Sequence, residues 1–175
     1  LSFGRDPVLF QPEGGVIDPE RAMAAMRAIA AARGAQLHYG SPVLGIEPHQ
    51  AGALVRTADQ TWHAQVVIVA AGAGLEPLLG EQVRLPSLVV TQQEAFHFAP
   101  AGPLQAGPWP PFIYHDEIVR YGLPAGRDGE VPSAVKAGEH ENGTVTTADH
   151  RDGVANPAAR DRVRAFVRRW AGGLD

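Results

Sequence analysis

Two short segments concentrate residue types able to do chemistry, Tyr121-Gly-Leu-Pro124 and Lys136-Ala-Gly-Glu-His140. If the second is a strand, alternation puts Lys136, Gly138 and His140 on one face, with bare backbone between two titratable groups. A phenol, an ammonium and an imidazole on one surface can bind an anionic substrate and tune proton or electron transfer. The same spacing also describes the wet side of an antiparallel sheet, and spacing alone favours that plainer reading. Lys136 is nonetheless singular. It is the one lysine among 15 basic residues, and Lys and Arg are not interchangeable where a pKa has to move.

Other constellations carry less. Gly72-Ala73-Gly74 follows an apolar run as a dinucleotide-binding turn would, but Pro77 occupies the third glycine position. Only the short Leu75–Leu79 segment follows, so the turn lacks a full helix N-terminus to hold a pyrophosphate. His115-Asp116-Glu117 and Glu139-His140-Glu141 lack the paired-histidine spacing of a metal site and read as solvated strand ends. The serines (Ser2, Ser41, Ser87 and Ser133) lie in no nucleophile-elbow context. Cysteine is absent, which removes disulfides, thiolate ligands and thiol nucleophiles together.

The 175 residues are 45% hydrophobic and 19% charged, a balance that suits a packed core. A net charge of −4 argues against nucleic acid or an anionic membrane surface as partner. No apolar stretch reaches the ~20 residues of a membrane span. The opening LSFGRDPVLF has neither the charged region nor the apolar core of a signal peptide, and a cytoplasmic location is expected.

The elements that must position these residues follow from pattern. Pro19 to Arg33 reads as a helix, with Asp18 as N-cap, Gly34 as C-cap, and Met23, Met26, Ile29 and Ala30 on one face. Strands are expected at 35–39, 43–47 and 53–57, with turns at His49–Gly52 and Asp59–Gln60. Val66 to Ala71 is an unbroken apolar run, which reads as a strand buried on both faces. Beyond Pro86, residues 88–98 read as one longer strand, and the proline-rich 99–111 as an irregular excursion. Short strands at 112–115, 119–123 and 133–137, without helices between them, predict an antiparallel sheet. A last helix, Pro157 to Trp170, carries Val163, Phe166, Val167 and Trp170 on one stripe. Both ends look cut from something larger.

Six segments, in order, resemble the flavin-dependent amine oxidases of the monomeric sarcosine oxidase and N-methyltryptophan oxidase type, within the D-amino-acid oxidase superfamily. GGVIDPERAMAAMRAIAAARGAQL resembles that family's glycine, strand, helix and second strand, and SPVLGIEP its segment beneath the adenine. VVIVAAGAGLEPLLG is similar to its second flavin-contacting strand and turn. YGLP and KAGEH resemble its Y-G-x-P and K-x-G-x-H segments, and VRAFVRRWAGG the helix that follows.

The resemblance implies an α+β fold. Residues 18–87 would be a partial FAD-binding domain without its Gly-rich unit, and 1–17 with 88–175 an antiparallel substrate-domain sheet under a covering helix. It implies that Val43, Ala71, Gly72 and Ala73 approach FAD. Tyr121 and His140 would line the amine pocket, and Lys136 would promote oxygen reduction. The implied reaction oxidises the C–N bond of a secondary amine or amino acid to an imine, with oxygen as acceptor and hydrogen peroxide as product. Gly74, where close relatives have tryptophan, Glu139, where they have tyrosine, and a longer gap before Lys136 leave the substrate open. The G-x-G-x-x-G turn lies outside these residues, so this chain by itself is expected to be inactive, to hold no FAD, and to self-associate through exposed apolar surface. A cofactor-free binding module and a flavin dehydrogenase that does not use oxygen are the alternatives.

Overall fold

The computed structural model describes residues 4, 6–80, 82–100, 109–125, 134–151, 153–170 and 174. They divide into two compact units, Met23–Val90 with Thr146–Arg151, and Leu1–Ala22 with Thr91–Val145 and Asp152–Asp175.

Helix α1 (Pro19–Ala32) forms where capping predicts. The Asp18 carboxylate accepts the Arg21 N–H at 3.0 Å, satisfying one of the unpaired donors of the first turn. Gly34, at φ +89°, takes the left-handed position at the other end. There the Ala35 N–H bonds the Ala30 carbonyl and the Gly34 N–H the Ala31 carbonyl, a Schellman closure. The apolar face of α1 is open: Met23, Met26 and Ile29 are all exposed.

Three short strands follow as an antiparallel meander, β1 (Gly45–His49), β2 (Gly52–Arg56) and β3 (Thr61–Ala64). Ile46 pairs with Val55, and Val55 with Trp62. The turn before β3 is closed by Thr57, whose N–H and hydroxyl both reach the Gln60 carbonyl. Strand β3 is an addition to those expected from pattern.

Two expected strands do not form in the described chain. Residues 35–39 run without ladder partners; His38 stacks edge-on against Trp62 at 4.6 Å, and Arg27 lies 5.6 Å over the Tyr39 ring. Val66–Ala71 is likewise unpaired, with Val66 78% and Ile68 89% exposed. An apolar run becomes a doubly buried strand only beside other strands and under covering helices, and the described residues supply neither for it. A 3-10 turn (Gly72–Gly74) leads from it into the five-residue helix α2 (Leu75–Leu79).

In the other unit the expected long strand divides into β4 (Thr91–Gln92) and β5 (Ala95–Phe98). Then come β6 (Phe112–Tyr114), β7 (Arg120–Pro124), β8 (Val135–Glu139) and β9 (Thr144–Val145). Strands β5-β8-β7-β6 make a four-stranded antiparallel sheet, as expected, while β4 pairs with β9. The division has a cause. Glu141 sits at φ +62°, ending β8, so the strand opposite must change partner at the same level. Much of the proline-rich excursion (101–108), and residues 126–133 with the first position of the expected 133–137 strand, lie outside the described residues.

Helix α3 (Pro157–Trp170) matches its expected bounds. Asn156 caps it, accepting the Ala158 N–H at 3.0 Å, and Pro157 suits the first turn, where no N–H is required. Its stripe of Val163, Phe166, Val167 and Trp170 is buried against Phe98, Val135 and Ala137 of the sheet, with Leu174 closing the core.

Candidate functional site

With α3 on one side, strand alternation sorts the sheet into a packed face and an open face. Val135, Ala137 and Glu139 of β8 are buried toward the helix. Lys136 and Gly138 therefore belong to the open face. Register extends that face into two rows, His97–Lys136–Leu123 and Ala95–Gly138–Tyr121–Ile113. The tyrosine ring leans across its row. A β-carbon placed on Gly138 would stand 2.8 Å from the Tyr121 hydroxyl and 2.9 Å from Cζ. Only a glycine admits the phenol there, and the phenol lies on β8 just beyond Lys136.

The structure thus brings Tyr121, Gly138 and half-buried Lys136 onto one surface. His140 lies one residue beyond β8, at the rim. Its N–H still reaches the Val119 carbonyl at 2.7 Å, while its ring is exposed, with Nε2 3.9 Å from Glu141 Oε1.

Glu139 corrects the reading of a solvated acidic cluster. It is 6% exposed and pinned on the helix side of the sheet. Arg162 Nε donates to both carboxylate oxygens, at 3.2 and 3.1 Å, and Nη2 adds a bond of 2.7 Å. Asn142 Nδ2 donates at 2.9 Å, and Arg120 Nε stands 3.6 Å away. Arg120 in turn holds both oxygens of Asp116 at 3.0 and 3.1 Å and lies 5.4 Å over the Phe166 ring. Burial pushes the Glu139 carboxyl up, but the bonds from Arg162 and Asn142 and the charges of Arg162 and Arg120 outweigh it and hold it below its usual range. The alternation that assigns Val135 and Ala137 to the packed face was the available signal, because it carries on to Glu139. His97, directly across from Lys136, was also unanticipated.

Residues 43–78 form a second concavity within their own unit, an open groove of about 710 Å³. Val43 and Ala71 both line it, with Leu44, Ile46, Val55 and the run 67–70, in which Val67 and Val69 are half-buried and Ile68 and Ala70 exposed. Gly72 and Ala73 lie in the 3-10 turn that follows Ala71. An apolar wall edged by backbone without ladder bonds fits the adenosine half of FAD, whereas among the described residues no charged side chain lines the groove to hold its diphosphate. Among the described residues no three His, Asp or Glu side chains converge on a common point.

An open antiparallel face bearing a lysine and a glycine-seated tyrosine, and an apolar groove in the other unit, are set on an α+β fold. Residues 5–174 match the FAD dependent oxidoreductase family, and the chain belongs to that family. It is 33% identical over 139 residues to N-methyl-L-tryptophan oxidase of Yersinia pestis (strain Pestoides F), covering 78% of this chain and 35% of that protein. The same figures hold for N-methyl-L-tryptophan oxidase of Yersinia pseudotuberculosis serotype O:1b (strain IP 31758). The chain therefore spans about a third of the length of these curated relatives. Among solved structures, the open form of NikD, described as an unusual amino acid oxidase essential for nikkomycin biosynthesis, shares the fold. The TM-score is 0.62 at 22% identity, over 91% of this chain and 42% of that one.

Proposed function

We infer that this chain is the part of an FAD-dependent amine oxidase that carries the substrate-facing sheet and a portion of the flavin-binding domain. Residues 18–87 are read as the flavin-binding portion, and 1–17 with 88–175 as the substrate portion. The substrate is a secondary amine or N-methylated amino acid, which the relatives named N-methyl-L-tryptophan oxidase support. The observation that carries the reading is the open face on which Tyr121 rests over Gly138, beside Lys136.

When bound, FAD supplies the two-electron acceptor for the C–N bond. Val43 and Ala71 would hold its adenosine side, with Gly72 and Ala73 approaching it from the turn. Tyr121 and His140 orient the amine and keep its nitrogen unprotonated, so that its lone pair assists as the bond is oxidised. The imine is then released to water. Lys136 presents a fixed ammonium where oxygen gains electrons on its way to hydrogen peroxide, and a preorganised cation stabilises that developing charge.

The test is anaerobic mixing of the full-length holoenzyme with N-methyl amino acids, followed by admission of oxygen. Bleaching of the visible flavin band, then its return with stoichiometric peroxide, is the expected result. A band that bleaches with no amine or amino acid overturns the reading.

A further inference from the structure

The ion network behind the sheet meets the open face through the backbone. Glu139 and Arg120 are direct cross-strand partners, and the next pair along the ladder is Gly138 with Tyr121. On its other side Glu139 is followed by His140, and the Asn142 side chain bonds back to the Glu139 carboxylate at 2.9 Å. The left-handed turn at Glu141 is thereby tied to a group that is itself fixed. Arg162 anchors that carboxylate to α3 with three short bonds. One buried carboxylate is therefore joined to both residues assigned to the amine, Tyr121 through the β7–β8 register and His140 through the 139–142 turn. Lys136 lies three residues back along β8, in the separate row of His97 and Leu123.

We propose that Glu139, clamped by Arg162 and Arg120, is a positioning residue that sets Tyr121 and His140 for the amine while leaving the oxygen-reacting side of the face alone. This rests on the amine-oxidase reading for its kinetic consequence, but not for its structural one. Loss of the carboxylate charge loosens the Arg120 and Arg162 contacts, lets the turn at 140–142 relax, and shifts two orienting groups together. A misplacement on the order of 1 Å at such groups costs up to about 100-fold in the step they serve.

The experiment compares wild type with Glu139→Gln in the full-length holoenzyme, with Arg162→Lys as the conservative partner variant that keeps the charge. Rapid mixing separates flavin reduction by amine from reoxidation by oxygen, and amide hydrogen exchange is followed by mass spectrometry on the same samples. Glu139→Gln is expected to slow reduction about 10- to 100-fold and to leave reoxidation within about twofold, with Arg162→Lys intermediate. Exchange should quicken in 119–121 and 139–143 and stay unchanged in 95–98. Equal slowing of both half-reactions, unchanged reduction, or faster exchange across the whole sheet would overturn the proposal. If no amine reduces the wild-type flavin, the amine-oxidase reading fails, and the exchange pattern alone decides whether Glu139 holds Tyr121 and His140.

Discussion

The seat of Tyr121 on Gly138 can be tested with a single methyl group. In Gly138→Ala the new carbon would stand 2.7 Å from the Glu94 carbonyl oxygen, 2.8 Å from the Tyr121 hydroxyl and 2.9 Å from its Cζ. Ordinary carbon contacts lie near 3.5–4.0 Å, so something has to move by roughly half an ångström or more. The tyrosine ring can swing off the strand. The Glu94 oxygen belongs to the backbone between β4 and β5 and yields less readily. Overpacking of this kind costs about 1–3 kcal/mol, a fall in Tm of roughly 4–24 °C for a unit of about 100 residues. Displacing the phenol adds a loss of about 10- to 100-fold in kcat/KM. Thermal melts and steady-state amine oxidation by the full-length enzyme read both effects. A double-mutant cycle isolates the ring: in a Tyr121→Ala background the ring contacts are gone and the Glu94 contact stays, so the methyl should cost at least ~0.5 kcal/mol less. Gly15→Ala is the control, since no atom lies within 4 Å of its added carbon, and it should stay within about 0.5 kcal/mol of wild type. If Gly138→Ala melts and turns over like wild type, the phenol does not rest on that glycine and the open face is built differently.

Phe166→Ala should destabilise by about 3–5 kcal/mol, because Phe166 packs against Phe112, Tyr114 and the Arg120 guanidinium; denaturant titration measures it. Asp18→Ala should cost about 0.5–2 kcal/mol and speed amide exchange in the first turn of α1, while Asp18→Asn keeps most of the cap. Glu139 makes stability depend on acid pH. Its folded pKa lies below the usual 4.5, so its contribution is complete above that value and is lost as pH falls through the lowered one. Denaturation curves of wild type and Glu139→Gln should therefore converge as pH falls below 4.5; a gap that widens there reverses the sign.

Legibility in the sequence followed how local the cause was. Helix α3 and its buried stripe, and α1 with the Asp18 and Gly34 caps, were readable because caps and periodicity act within a few residues. The antiparallel sheet was readable from short strands without helices between them. Val66–Ala71 was not, since a strand exists only with partners, and the same holds for residues 35–39. β3, only four residues long, offers too little alternation to stand out. On the open face, alternation alone joined Lys136 to Gly138. That Tyr121 lies opposite Gly138 is a matter of register, and register is fixed by both strands together. The burial of Glu139 depends on Arg162, 23 positions away, which no local window contains.

We propose that the open face bearing Lys136 serves the reaction with oxygen, and Lys136→Met in the full-length holoenzyme is the decisive variant. Removing one preorganised charge-stabilising group typically costs ~2.7–4 kcal/mol, or roughly 100- to 1000-fold in the step it serves. Rapid mixing should show reoxidation of the reduced flavin slowed by that factor, with reduction by amine nearly unchanged and Lys136→Arg restoring only part of the loss. Unchanged reoxidation with a failed reductive half-reaction would contradict the claim and make Lys136 a substrate-binding residue.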